Sequence, residues 1–174
     1  MLLYKLLSIL LEYPSREICR NWDEIIAGIN SLEETDKEEK AIMLDFVQWA
    51  QSLSMTKFQE EYVRTFDLTP DNALYLTHHL FEEQDRERGP TLIELCEFFK
   101  SEGFEITNGE LPDYLPLVLE YVSTLEDKTS AKIFLKESSH VSGIIANNLE
   151  DINSPYAPLL RLVERHGRIT EITA

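Results

Sequence analysis

Glycine, proline and cysteine are scarce in this 174-residue chain, with 6, 7 and 2 copies respectively. With so few breakers and no Ser-, Gly- or Pro-rich stretch, nothing reads as a linker, and residues 1–174 are expected to form one domain. The glycines at 28, 89, 103, 109, 143 and 167 are scattered. None opens a phosphate-binding GxGxxG or GxxxxGK[ST] loop, which excludes nucleotide enzymes of those kinds. Cys19 and Cys96 sit singly among apolar residues with no CxxC pair, the pattern of small buried hydrophobes in a reducing compartment, and this points to the cytoplasm.

Positive charge is equally short: 16 Lys and Arg face 32 Asp and Glu, a formal charge of −16. Nucleic-acid affinity comes largely from cations displacing condensed counterions, so nucleic acid is not an expected partner. The same field draws in a basic peptide, although solubility alone also accounts for it. Long apolar runs are missing too. The opening MLLYKLLSILLEYP holds about 11 residues of apolar character with Lys5 inside, against the ~20 that span a bilayer. It lacks the basic segment and small-residue cleavage site of a signal peptide. Leu2, Leu3, Leu6, Leu7 and Leu10 share a helical face, so this is a core helix and no membrane insertion is expected.

What the sequence does have is apolar residues at three- and four-residue intervals almost throughout, which predicts an all-α fold of about eight helices. Ser15 is a candidate N-cap for a helix carrying Ile18, Cys19, Trp22, Ile25, Ile26 and Ile29. The polar run Ser31 to Lys40 leads into a helix with Ile42, Met43, Phe46, Val47, Ala50 and Leu53. Ser54 or Thr56 opens the next, in which Phe58, Tyr62 and Phe66 form an aromatic ridge, either core or the wall of a partner groove. A helix is expected from Ala73 through Phe81. Pro90 and Thr91 open another, which stops at Gly103. Phe104 to Glu110 reads as an irregular connection, and Pro112 as the first position of a helix running to about Leu125. Helices over 129–149 and 155–166 complete the set.

No catalytic constellation appears. His78 and His79 point about 100° apart on a helix, so they do not chelate together; His78 with Glu82 and His79 with Glu83 are the only metal-type pairs, and polar surface is the plainer reading. No serine sits in a GxSxG turn, and carboxylate pairs are uninformative in so acidic a chain. No cofactor of the chain's own is expected.

Three stretches carry a resemblance. Glu110 to Tyr121 reads ELPDYLPLVLEY, Glu61 to Leu68 reads EYVRTFDL, and Glu82 to Leu95 reads EEQDRERGPTLIEL. Together with the opening LLSILLEYP they resemble the NarJ family of nitrate reductase molybdenum cofactor assembly chaperones. The likeness weakens beyond Tyr121, and the longer polar C-terminal extension of many members is not matched. The resemblance implies a TorD/DmsD-like helical fold and a chaperone, not an enzyme. It also implies that the partner is the apo catalytic subunit of respiratory nitrate reductase and its N-terminal peptide, with cofactor-delivery proteins as further candidates. Molybdenum cofactor would then be cargo for the client. A chaperone for a dimethyl sulfoxide, trimethylamine oxide or selenate reductase is the alternative.

Under that reading Tyr62, Phe66, Tyr114, Leu115, Leu119 and Val122 are candidates to line a groove for the apolar face of a client helix. Asp113 and Glu120 are candidates to pair with basic client residues, Asp113 alternatively serving its own helix dipole. Arg86, Arg88 and Gly89 form a candidate functional loop in which Gly89 supplies a positive φ. Without a coiled-coil heptad, a monomer is expected.

Overall fold

A computed structural model describes residues 1–33, 35–81, 85–107 and 109–168; of Lys128, Lys132, Ile133 and Glu137 it describes the backbone alone. The described residues form ten α-helices and no strand: α1 (Leu2–Leu11), α2 (Arg16–Arg20), α3 (Trp22–Ser31), α4 (Lys37–Gln51), α5 (Met55–Tyr62), α6 (Leu76–Leu80), α7 (Arg88–Ser101), α8 (Leu115–Thr124), α9 (Lys128–Asp151) and α10 (Ala157–Gly167). A π-helical segment, Val63–Asp67, continues α5, and a 3-10 turn spans Pro70–Asn72. The all-α expectation holds, with more and shorter helices than eight.

The starts follow from side-chain caps. Ser15 accepts from Ile18 N at 3.2 Å, Asp36 from Glu39 N at 2.8 Å, Ser54 from Lys57 N at 3.2 Å and Asp127 from Ser130 N at 2.7 Å, each satisfying an orphan donor of the first turn. Two boundaries differ from the sequence reading. The helix expected over Ile18 to Ile29 is broken at Asn21, whose φ/ψ of −106/25 closes α2 and opens α3. Asparagine is a poor interior residue because its side chain competes for backbone partners. The helix expected to open at Pro112 begins instead at Leu115, because Tyr114 is held extended by an antiparallel bridge to Tyr75. Gly103 stops α7 with φ +76, as its position just past the helix predicts.

Helix α1 lies along α8, tied by Ser8 Oγ donating to Pro116 O at 2.7 Å and by the Lys5–Glu120 ion pair, while Leu7 and Leu11 beside Leu115 and Leu119 are sealed from solvent. Two aromatic clusters fill the rest. Tyr156 centres the first, with ring centroids 4.9 Å from Phe46, 4.8 Å from Phe66 and 5.6 Å from Trp49. Phe99 and Tyr121, 4.9 Å apart, centre the second with Phe104 and Phe134. Glu39, buried on α4, accepts from His166 Nε2 at 3.0 Å and Arg165 Nη1 at 3.3 Å, which fixes α10 across α4.

Helices α9 and α10 form an antiparallel hairpin whose close approach depends on small residues. Ser139 Oγ donates to Glu164 O at 2.7 Å, and a Cβ on Gly167 would lie 2.5 Å from Ser139 Cβ and 2.7 Å from the Leu135 carbonyl oxygen. Because one obstacle is backbone, Gly167→Ala is expected to separate the hairpin's ends and cost about 1–3 kcal/mol, the usual overpacking range. Urea denaturation checks this; an unchanged midpoint would mean that α10 shifts freely over α9.

Candidate partner-binding site

The three motif stretches, up to 60 positions apart in sequence (Glu61 to Tyr121), meet at one junction. Helix α6 has only five residues, and its N-cap Tyr75 offers no side-chain acceptor. Asp113, 1% exposed, supplies one from across the fold: its Oδ2 accepts Thr77 N at 2.9 Å and Thr77 Oγ1 at 2.5 Å. The Thr77 hydroxyl has spent its proton on Asp113, so it accepts from Arg88 Nε at 3.0 Å. A relay Arg88–Thr77–Asp113 thereby joins the start of α7, the start of α6 and the segment before α8. The other oxygen, Asp113 Oδ1, is buried with no protein partner among the described residues.

Beside the relay, backbone bonds Leu76 N to Asp113 O (3.0 Å) and Leu115 N to Leu74 O (2.8 Å) flank the Tyr75–Tyr114 bridge. Those two rings lie 5.4 Å apart. Tyr62 donates to Leu11 O at 3.3 Å and so receives the Tyr114 hydroxyl at 2.6 Å. Burial pushes the phenols of Tyr62 and Tyr114 well above the usual range, so both stay neutral donors. Burial and the Glu110 carboxylate, which accepts from Tyr75 Oη at 3.0 Å, raise Tyr75 to about 12.

Carboxylates crowd the rim. Glu12 and Asp67 both keep exposed surface, yet partial loss of solvation among the neighbouring side chains raises each above the ordinary carboxylate range, helped by the charges of Glu120 and Glu110 at Glu12 and of Glu110 at Asp67. Such a rim repels itself, and Lys5, paired to Glu120, offsets only part of that repulsion. Next to it, an open cavity of about 630 Å³ runs between α1, α2 and α3, with Leu6, Ile9, Ile18 and Ile25 on its floor and Glu12, Glu17 and Glu24 at its edges.

The sequence-derived site residues divide sharply. Tyr62 and Phe66 are each 3% exposed, and Leu115, Leu119 and Val122 are sealed at 0%. In this conformation they are core beneath α1 and α10, not open wall. Tyr114 is buried in the junction, and Asp113 caps α6, not its own helix. Glu120 is engaged by Lys5. Arg88 joins the relay and Arg86 is exposed in the turn before α7. Gly89 corrects the expectation placed on it: it is the second residue of α7, and the positive-φ glycines among the described residues are Gly103 and Gly109. Glu82 and Glu83, the acidic halves of the suggested histidine pairs, lie outside the described residues. His79 Nε2 meets Ala73 O at 2.7 Å, and no group of three potential metal ligands occurs among the described residues.

Sequence reasoning missed Thr77, Tyr75, Glu12 and the α1–α3 groove, since each gains its role from residues far away in the chain; only Glu110, heading its motif, carried a local signal. No helix among the described residues is long and apolar enough to cross a membrane.

The described residues thus form a helical scaffold with a buried polar junction, an acidic rim and an open groove with apolar residues on its floor. Comparison with known proteins makes the class specific. The family described as nitrate reductase delta subunit matches residues 29–161. The chain is 35% identical to the probable nitrate reductase molybdenum cofactor assembly chaperone NarJ of Bacillus subtilis, over 92% of this chain and 85% of that one. It is 27% identical to the corresponding chaperone of Escherichia coli K12 over 91% of this chain and 66% of that one. It also matches 23% of the length of the nitrate reductase-like protein NarX of Mycobacterium tuberculosis, at 26% identity. The chain belongs to the nitrate reductase delta subunit family, and its relatives in Bacillus subtilis and Escherichia coli are named as molybdenum cofactor assembly chaperones.

Proposed function

We propose that this chain is a system-specific chaperone that binds the apo catalytic subunit of respiratory nitrate reductase, including its N-terminal peptide. It holds that subunit off the membrane while molybdenum cofactor is inserted, acting as a monomeric, single-domain cytoplasmic protein. The observation that carries the reading is the convergence of the three family-like motifs on one junction, in chain order the second and third through the Arg88–Thr77–Asp113 relay and the first through the Tyr62–Tyr114 hydroxyl pair, with Glu110 of the third motif close enough to raise the Glu12 and Asp67 carboxyls. The α1–α3 groove takes the apolar face of a peptide helix, the rim takes its basic residues, and the junction fixes the distance between them. Leu115 and Leu119 act from beneath by holding α1 in place.

Calorimetric titration with a synthetic peptide from the N-terminus of the catalytic subunit encoded alongside tests this. Binding near the micromolar range, about −8 kcal/mol, is expected, weakening as salt screens the rim. Glu12→Gln with Asp67→Asn is expected to weaken it about tenfold, or ~1.4 kcal/mol, with the melting temperature unchanged. The sign with pH follows from the raised carboxyls. A bound cation favours their ionised form, so affinity rises with pH and is lost as pH falls through values above those of ordinary carboxylates. No heat at any salt or pH would remove the peptide part of the proposal, and co-purification with a different molybdoenzyme would redirect the client.

A further inference from the structure

The groove between α1, α2 and α3 has a direction. Trp22, which opens α3, has its ring centroid 6.1 Å from that of Phe58, and Gln59, next to Phe58, donates to Pro14 O just past the end of α1 at 2.8 Å. Further along α3, a Cβ on Gly28 would lie 3.2 Å from Leu6 Cδ2, halfway back along α1. The two helices therefore run antiparallel, and places on one wall match places on the other. The carboxylates of the lining, Glu12, Glu17 and Glu24, belong to the half where α1 ends and α2 and α3 begin, while Leu2, Lys5, Leu6 and Gly28 line the half where α1 begins.

Glu17 and Glu24 stand in the first turns of their own helices, where a negative charge also suits the local dipole. Glu12 is placed the opposite way. It is the C-cap residue of α1, beside the carbonyl oxygens that make that end of the helix negative, and α1 has no basic residue in its last turn. A carboxylate there works against its own helix, so the charge serves something other than the fold. The negative half of the groove thus combines Glu12, Glu17 and Glu24 with the carbonyl end of α1.

From Leu2 to Glu12 the groove is about 15 Å long, which takes about three turns of helix. Its floor of Leu6, Ile9, Ile18 and Ile25 takes the apolar face. A docked helix carries orphan N–H groups and partial positive charge at its start, and orphan carbonyls at its end. At the start of α1, Lys5 gives one donor to Glu120 and keeps two more for such carbonyls. The reverse placement would set carbonyls against carbonyls and carboxylates.

We propose that this groove reads the direction and the free amino terminus of its client. The first turn of the client helix, with the terminal ammonium, lies against Glu12, Glu17 and Glu24, and its third turn lies against Lys5 and Leu2, so that the client runs antiparallel to α1. The inference rests on the reading of the chain as a chaperone that binds an N-terminal peptide, and adds which end goes where and why a chain terminus is preferred over an internal helix of the same apolar pattern.

The probe is the N-terminal peptide of the catalytic subunit encoded alongside, with its amino group free or acetylated, titrated into the full chain by calorimetry. Acetylation is expected to weaken binding about threefold to fivefold, the worth of a charge pair in contact with water. In the variant carrying Glu12→Gln, Glu17→Gln and Glu24→Gln, with helical content checked by circular dichroism, the two peptides should bind alike. Direction is read with a nitroxide on the polar face of the free-amine peptide, in its first or its third turn. The first-turn label is expected to broaden the amides of Glu12, Glu17 and Asn21 most, and the third-turn label those of Lys5 and Gly28. Equal affinity of free and acetylated peptides for the parent chain, or the opposite broadening pattern, would overturn the inference and leave the client reading standing. No titration heat from either peptide would remove both.

Discussion

Tyr156→Ala is expected to remove about 3–5 kcal/mol of stability, a large share of the ~5–15 kcal/mol that a domain of ordinary size possesses. The residue is 1% exposed, and its ring is within 6.2 Å of Phe46, Trp49, Tyr62 and Phe66, which come from α4, α5 and the π segment. Truncation would leave a cavity walled by four rigid rings that cannot all collapse inward, so the cost lies toward the upper end for large-to-small changes. Tyr156→Phe separates packing from polarity. The hydroxyl is buried without a partner, so its removal takes away a desolvation penalty and loses no hydrogen bond. That variant is expected to be as stable as the parent or slightly more so. Urea denaturation of both measures the pair; a Tyr156→Phe loss of about 1 kcal/mol, the net worth of one hydrogen bond, would show that the hydroxyl has a partner.

The same residue shows how far sequence pattern reaches. The spacing of Phe58, Tyr62 and Phe66 announces an aromatic ridge, and the ridge exists, but periodicity marks an apolar face without saying what covers it. Tyr156, nearly a hundred positions away, covers it. The same holds for Leu115, Leu119 and Val122, whose spacing suits a groove wall and a core equally well; α1 decides by lying across them. Helices with local caps, such as those opened by Ser15 and Ser54, were legible because cap and capped donor are three residues apart. The break at Asn21 interrupts an apolar periodicity that runs on past it, the π turn over Val63–Asp67 leaves no mark in the residue spacing, and the late start of α8 is fixed by the Tyr75–Tyr114 bridge from a distant part of the chain. Gly89 invited a positive φ on residue type alone, yet α7 begins one residue earlier and holds it helical.

Asp113→Ala tests the junction most directly, and a loss of about 2–3 kcal/mol is expected. Two hydrogen bonds to a charged acceptor are each worth ~1.5–3 kcal/mol, and their removal strands the Thr77 N–H and hydroxyl in a buried site. The loss stays below the full sum because the substitution also removes Asp113 Oδ1, which is buried and unpartnered. Helix α6 is too short to hold itself together without this remote cap, so its amides should exchange with solvent first. A double-mutant cycle with Arg88→Leu, Arg88 being bonded to Thr77 and not to Asp113, distinguishes a relay from a lone cap. If Arg88 is positioned through the threonine hydroxyl, the two substitutions share one network and couple by about 1–2 kcal/mol. Additive losses would mean that Arg88 is held by other groups and that the motifs meet there without acting together. Coupling accompanied by weakened client-peptide binding, at temperatures well below unfolding, would mean that the relay sets the geometry of the acidic rim above it. That outcome is expected, because Glu110 lies three residues before Asp113 and is itself fixed by the hydroxyl of Tyr75, the N-cap residue of α6.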